Sequence, residues 1–150
     1  MARDTGGRAT RQETIHLTLA FLGDIDADRV GDAIAAARTV RAPAHRLPVT
    51  HADYWPHNRI LWAGPARTPA PTRRLAAGLN RVLTQAGFAL ERHAFTAHVT
   101  LLRKARSPRS LPPLPKVNWP VDEFVLVRSR LSEAGSHYEV LERFPLQRRS

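Results

Sequence analysis

The sequence predicts an α+β fold on three observations: six short strand patterns, two amphipathic helix patterns among them, and no strict alternation of strand with helix. At 150 residues the chain is about one domain's length, since single cores typically occupy ~100–150 residues, and it can fold without disulfides or a structural metal.

Residues 1–13 carry no apolar periodicity and read as a flexible leader. From Thr14 to Leu22, Ile15, Leu17, Leu19 and Phe21 alternate with His16, Thr18 and Ala20, the pattern of a strand that Gly23 ends. Asp24, Asp26 and Asp28 offer N-cap oxygens to a helix over about 27–40, with Val30, Ile34, Ala37 and Val40 at helical spacing. Two strands are expected at about 47–54 and 58–63. Thr68-Pro69 reads as a capped helix start, Leu75, Leu79, Val82, Leu83 and Ala86 as its apolar stripe, and Gly87 as its stop. A further strand covers about 95–103. The stretch 105–120, with prolines at 108, 112, 113, 115 and 120, reads as a loop outside the core. Residues 121–131 and 137–143 form a hairpin around Glu133-Ala134-Gly135-Ser136.

Composition narrows the function classes. The absence of cysteine removes thiol nucleophiles, zinc fingers and disulfide scaffolds. No run approaches the ~18 apolar residues of a membrane span, and no apolar signal core opens the chain, so a soluble, cytoplasmic protein with no membrane contact is expected. Lys+Arg 23 against Asp+Glu 13 gives +10. A charge of that size favours nucleic acid or another phosphorylated partner. A GC-rich genome accounts for Arg over Lys, but not for the excess of positive over negative.

One short motif occurs twice. His16-Leu17-Thr18-Leu19 returns 82 residues later as His98-Val99-Thr100-Leu101, each copy in an apolar strand pattern that puts its His and Thr on one face. Composition alone gives ~0.06 His-x-Thr-Leu matches. Two such strands meeting across a groove make a phosphate site. In-line displacement at phosphorus needs a base beside the attacking water and an acid beside the leaving oxygen. Two imidazoles, with a reference pKa of ~6.5, can share one proton near neutral pH. Threonine hydroxyls can donate to the non-bridging oxygens, and no metal or cofactor is required. A lone strand histidine is most often structural; a matched pair reverses that. His93, His51 and His57 lack carboxylates at ligand spacing, so no metal site is expected, and His45 and His137 read as surface residues.

With Phe21-Leu22-Gly23 after the first motif and Arg103 after the second, the pair resembles the two-histidine phosphoesterases. Within them the chain is most similar to the RNA 2′,3′-cyclic phosphodiesterases, also called 2′-5′ RNA ligases (the LigT-like group). The resemblance runs from about Thr14 to the end and includes Arg59-Ile60-Leu61-Trp62 and a C-terminal pattern of Ser129, Leu131, Gly135 and Tyr138. It implies one bilobal domain over 14–150: two antiparallel sheets with flanking helices, pseudo-twofold, around a central cleft.

The implied activity opens RNA 2′,3′-cyclic phosphate ends to a 2′-phosphate, and family members also join RNA ends reversibly through 2′-5′ linkages. His16 would be the acid, His98 the base, and Thr18 and Thr100 the phosphate binders. Phe21 and Arg103 would sandwich the terminal base. Strand parity puts Phe21 on the face opposite His16, so core packing is an equal alternative for it, and a solvated charge is the alternative for Arg103. The implied partner is RNA with a cyclic phosphate end, tRNA fragments among the candidates, with no obligate protein partner.

Two positions depart from the family pattern. A polar leader stands where the family has an apolar strand and helix, so the first lobe is expected to lack both and to expose a sheet edge. Ala97 stands where the family has proline, which loosens the entry to the second motif. The competing readings are a phosphodiesterase of a small cyclic or 2′-5′-linked nucleotide, and a non-catalytic RNA-binding protein of the same fold. The intact His-Thr pairs disfavour the second.

Overall fold

A computed structural model describes residues 7–91, 95–111, 114–133 and 135–148. Its described strands are β1 (Arg8–Ala9), β2 (His45–Val49), β3 (His51–Trp55), β4 (Ile60–Gly64), β5 (Val99–Arg103), β6 (Val117–Val121), β7 (Glu123–Ser132) and β8 (Gly135–Pro145); its helices are α1 (Val30–Arg38) and α2 (Ala70–Gln85). The α+β class is as the sequence implied. The chain divides into two compact units, one of residues 1–18, 47–68 and 97–119, the other of residues 19–46, 69–96 and 120–150.

The first unit is built on an antiparallel sheet in the order β1-β5-β4-β3. One face packs Leu61, Leu102, Ala105 and Tyr54 together. The expected strand over 14–22 shrinks to a single bridge, Leu17 to Val99. The reason lies in the register. A continuous strand through that bridge would put residue 13 opposite Arg103, but Arg8 is there instead. The five residues of slack fold into a 3₁₀ turn, Gln12–Thr14. Arg8 and Ala9, expected in a flexible leader, thus form an edge strand, and Thr10 N–H donates to the Leu101 carbonyl at 2.9 Å. The edge of β5 is therefore occupied in part by residues 8–10 and by Leu17.

The proline-rich stretch also differs from expectation. Ala105 is fully buried, and β6 takes the stretch's last residues; Pro112 and Pro113 lie outside the described residues. Ala105 is held from three sides. Its N–H donates to the Arg59 carbonyl at 2.9 Å, and its carbonyl accepts from the Tyr54 hydroxyl at 2.8 Å and Arg59 Nε at 3.2 Å.

The second unit buries Ala33 and Ala37 of α1 against Leu75, Leu79 and Leu83 of α2, with Phe88, Phe124, Phe144 and Leu146. The four-residue spacing within each helix puts these side chains on one face. A short 3₁₀ turn, Ala27–Arg29, precedes α1, and no side chain caps either start. Nor does Thr68 cap α2: the N-cap is Pro69, with no side-chain cap hydrogen bond.

Gly87 ends α2 as expected, at φ 98°. Gly87 N–H reaches the Thr84 carbonyl and Phe88 N–H the Leu83 carbonyl, a Schellman closure. Arg29 seals that end, donating to the Ala86 carbonyl at 2.7 Å with its guanidinium 4.7 Å from the Phe88 ring. β7 and β8 pair from Glu123–Pro145 to Ser132–Gly135; Ala134 of the expected turn lies outside the described residues. The Arg128 guanidinium, hydrogen-bonded across that hairpin, holds the Glu139 carboxyl below the usual carboxylate range.

His45, expected at the surface, is half-buried. Its Nδ1 lies 2.9 Å from the Pro43 carbonyl and its Nε2 2.8 Å from Thr72 Oγ1, inside the second unit. A carbonyl can only accept, so Nδ1 carries the proton and, in the neutral ring, Nε2 accepts from the otherwise buried hydroxyl.

Candidate active site

All four motif residues belong to the first unit, and one pairing brings the two copies together. Across an antiparallel bridge, a step forward on one chain meets a step back on the other. Extending that bridge by one residue each way, Thr18 falls opposite His98 and His16 opposite Thr100, all four on the face that Leu17 and Val99 turn away from. Each histidine faces the other copy's threonine. The backbones of His16 and His98 then lie on a diagonal of the quartet, about 7–8 Å apart. A repeated motif paired antiparallel has local twofold symmetry, which is what a reaction with an acid on one side and a base on the other can use.

The two histidines differ in setting. His16 is exposed, and its Nδ1 lies 2.7 Å from the Thr14 carbonyl. That carbonyl can only accept, so Nδ1 carries a proton. His98 is half-buried against tryptophan. Its ring meets the Trp55 indole at 4.7 Å and 69°, with Trp62 at 6.3 Å and 76°, and the two indoles are 4.9 Å apart. These distances and angles suit edge-to-face packing, which restricts how the imidazole can turn.

Sequence reasoning missed Trp55 altogether and took Trp62 only as part of a family pattern. No local pattern carried it: the contact arises because Trp62 pairs with both Thr100 and Asp53, and Trp55 stands two residues from Asp53 on the same face. Ala97 is 2% exposed, and its carbonyl packs against Gly64.

Arg103 reaches the same face by an irregularity. Trp62 pairs with Thr100 but Leu61 with Leu102, so β5 carries one extra residue, Leu101. This bulge puts both Val99 and Leu102 in the buried layer and turns Arg103 toward the side of His98 and Thr100. Simple alternation would have placed it on the other side. Phe21 belongs to the second unit and is 65% exposed, so it is not a core residue. His51, His57 and His137 are exposed, and His93 lies outside the described residues. Among the described residues no three or more His, Asp or Glu side chains gather as metal ligands.

The family model described as LigT like Phosphoesterase matches residues 1–62 and 64–138. The RNA 2′,3′-cyclic phosphodiesterase of Escherichia coli (strain K12) is 32% identical over 142 residues, covering 93% of this chain and 80% of its own. The protein of that name from Thermus thermophilus is 33% identical over 152 residues, covering 95% of this chain and 77% of its own. The crystal structure of E. coli LigT complexed with 3′-AMP superposes with a TM-score of 0.86 at 32% identity, covering 93% of this chain and 81% of that one.

Proposed function

The chain belongs to the LigT-like phosphoesterase family and is an RNA 2′,3′-cyclic phosphodiesterase, and from that premise we propose that His16 and His98 are its acid and base. The observation that supports the assignment is the antiparallel Leu17–Val99 bridge, which brings the two His-x-Thr motifs side by side.

The reaction then runs as one in-line displacement. His98, neutral, takes a proton from water as its oxygen bonds to the cyclic phosphorus. The P–O3′ bond breaks, and His16, protonated, gives the Nε2 proton to the departing 3′-oxygen, leaving a 2′-phosphate. The Thr14 carbonyl keeps hold of the His16 Nδ1–H through the transfer, so the ring does not turn as its charge is lost. Thr18 and Thr100 donate to the non-bridging oxygens, where transition-state charge collects. Arg103 contacts the terminal nucleotide, and a cytoplasmic RNA end, tRNA fragments included, is the substrate this reading assigns.

Two measurements test it. A cyclic-phosphate-ended RNA should yield a 2′-phosphate, identified by its resistance to 3′-specific phosphatases; a 3′-phosphate would reverse the roles of the histidines. Activity should survive EDTA and follow a bell-shaped pH profile, because one imidazole must be neutral and the other charged. Loss on chelation with recovery on adding a divalent metal would overturn the two-histidine mechanism. Replacing Thr18 or Thr100 with alanine should cost on the order of 10–10³-fold in kcat, as for one oxyanion donor. A fall confined to KM would instead make these threonines binding groups that do not act on the transition state.

A further inference from the structure

Arg8 and Arg103 are paired directly across β1 and β5, both exposed. Residues opposite one another in a sheet share a face, so the bulge that turns Arg103 to the His98 side brings Arg8 there too. Like charges in that position destabilise a strand pair, and neither arginine has a carboxylate partner among the described residues. Yet the pairing is built to hold. Thr10 N–H bonds the Leu101 carbonyl, and Gly7 approaches so closely that a Cβ there would sit 3.0 Å from the Arg103 carbonyl oxygen. Two cations fixed side by side call for an anion between or above them.

We propose that Arg8, beside Arg103, forms a second phosphate subsite that takes the phosphodiester preceding the terminal nucleotide of the RNA. The position suits this. The pair stands one side-chain row beyond Thr100 along β5, about 7 Å away by strand rise, a step of the order of that between successive phosphates in extended RNA. A mononucleotide has no such phosphate. Arg8 therefore selects RNA ends over small cyclic nucleotides, which deepens the function proposed above and rests on it.

The test compares the intact protein with Arg8→Gln and Arg8→Lys on a 2′,3′-cyclic mononucleotide and on a tetranucleotide with a cyclic phosphate end. For Arg8→Gln the loss in kcat/KM on the tetranucleotide should exceed that on the mononucleotide by about tenfold, equivalent to about 1.4 kcal/mol. Its salt slope should flatten by roughly 0.7, the value for one single-strand phosphate contact, with Arg8→Lys keeping most of both. Equal losses on the two substrates, or no loss, would overturn the subsite. Binding of a tetranucleotide that already ends in a 2′-phosphate supplies a readout free of turnover. It should weaken in Arg8→Gln whether or not His16 and His98 prove to be the acid and base, so failure of the mechanism and failure of the subsite are separable. Unchanged binding in that assay would also overturn the proposal.

Discussion

Replacing either His16 or His98 with alanine is expected to lower kcat by about 10³-fold or more while leaving the thermal melt of the protein near that of the parent. The size follows from the proposed mechanism: with acid and base acting in one transition state, losing either removes most of what both provide. The unaltered melt follows from the surroundings. His16 is exposed and flanks a single bridge, and its ring hydrogen bond to the Thr14 carbonyl is a local one. His98 is half-buried against Trp55, so its removal costs some packing as well, and the two variants should differ in stability in that direction. The double variant should be scarcely worse than either single one. Near-full activity in a folded His16→Ala protein would sink the mechanism, and strict additivity of the two losses would show that the histidines act in separate steps.

Gly64→Ala is expected to destabilise the protein by about 1–3 kcal/mol and to impair catalysis beyond what lost stability explains. A Cβ at Gly64 would stand 2.5 Å from the Ala97 carbonyl oxygen, a backbone atom that no side-chain rotation can move aside. The strand must shift, and what shifts is the segment that delivers His98, since Ala63 pairs with Val99 next door. In a chain of this length each kcal/mol lowers Tm by about 2–4 °C. Thermal melts give the first effect; kcat measured well below Tm gives the second. A stable, fully active Gly64→Ala enzyme would show that the His98 position tolerates displacement, contrary to the geometry argued for the quartet.

Much of this chemistry was written in the order of residues. The recurrence of His-x-Thr-Leu, with His and Thr two apart and so on one side of an extended chain, identified both motifs without any tertiary information. The two helices, the glycine stop of α2 and the β7–β8 hairpin were legible for the same reason, because they depend on neighbours within a few residues. Tertiary structure decided everything that depends on register. The first motif looks like a nine-residue strand, yet it pairs only at Leu17, because residues 8–10 occupy the edge it would have used. Arg103 faces the site only because Leu101 is the extra residue of a bulge, and that follows from how β5 meets β4. Trp55 touches His98 from 43 residues away, a contact set by two strand pairings rather than by any local pattern. Local sequence determines which face a side chain takes along its own strand. Which residues share that face across a sheet is set by hydrogen-bond register between distant segments, and no period within either segment contains it.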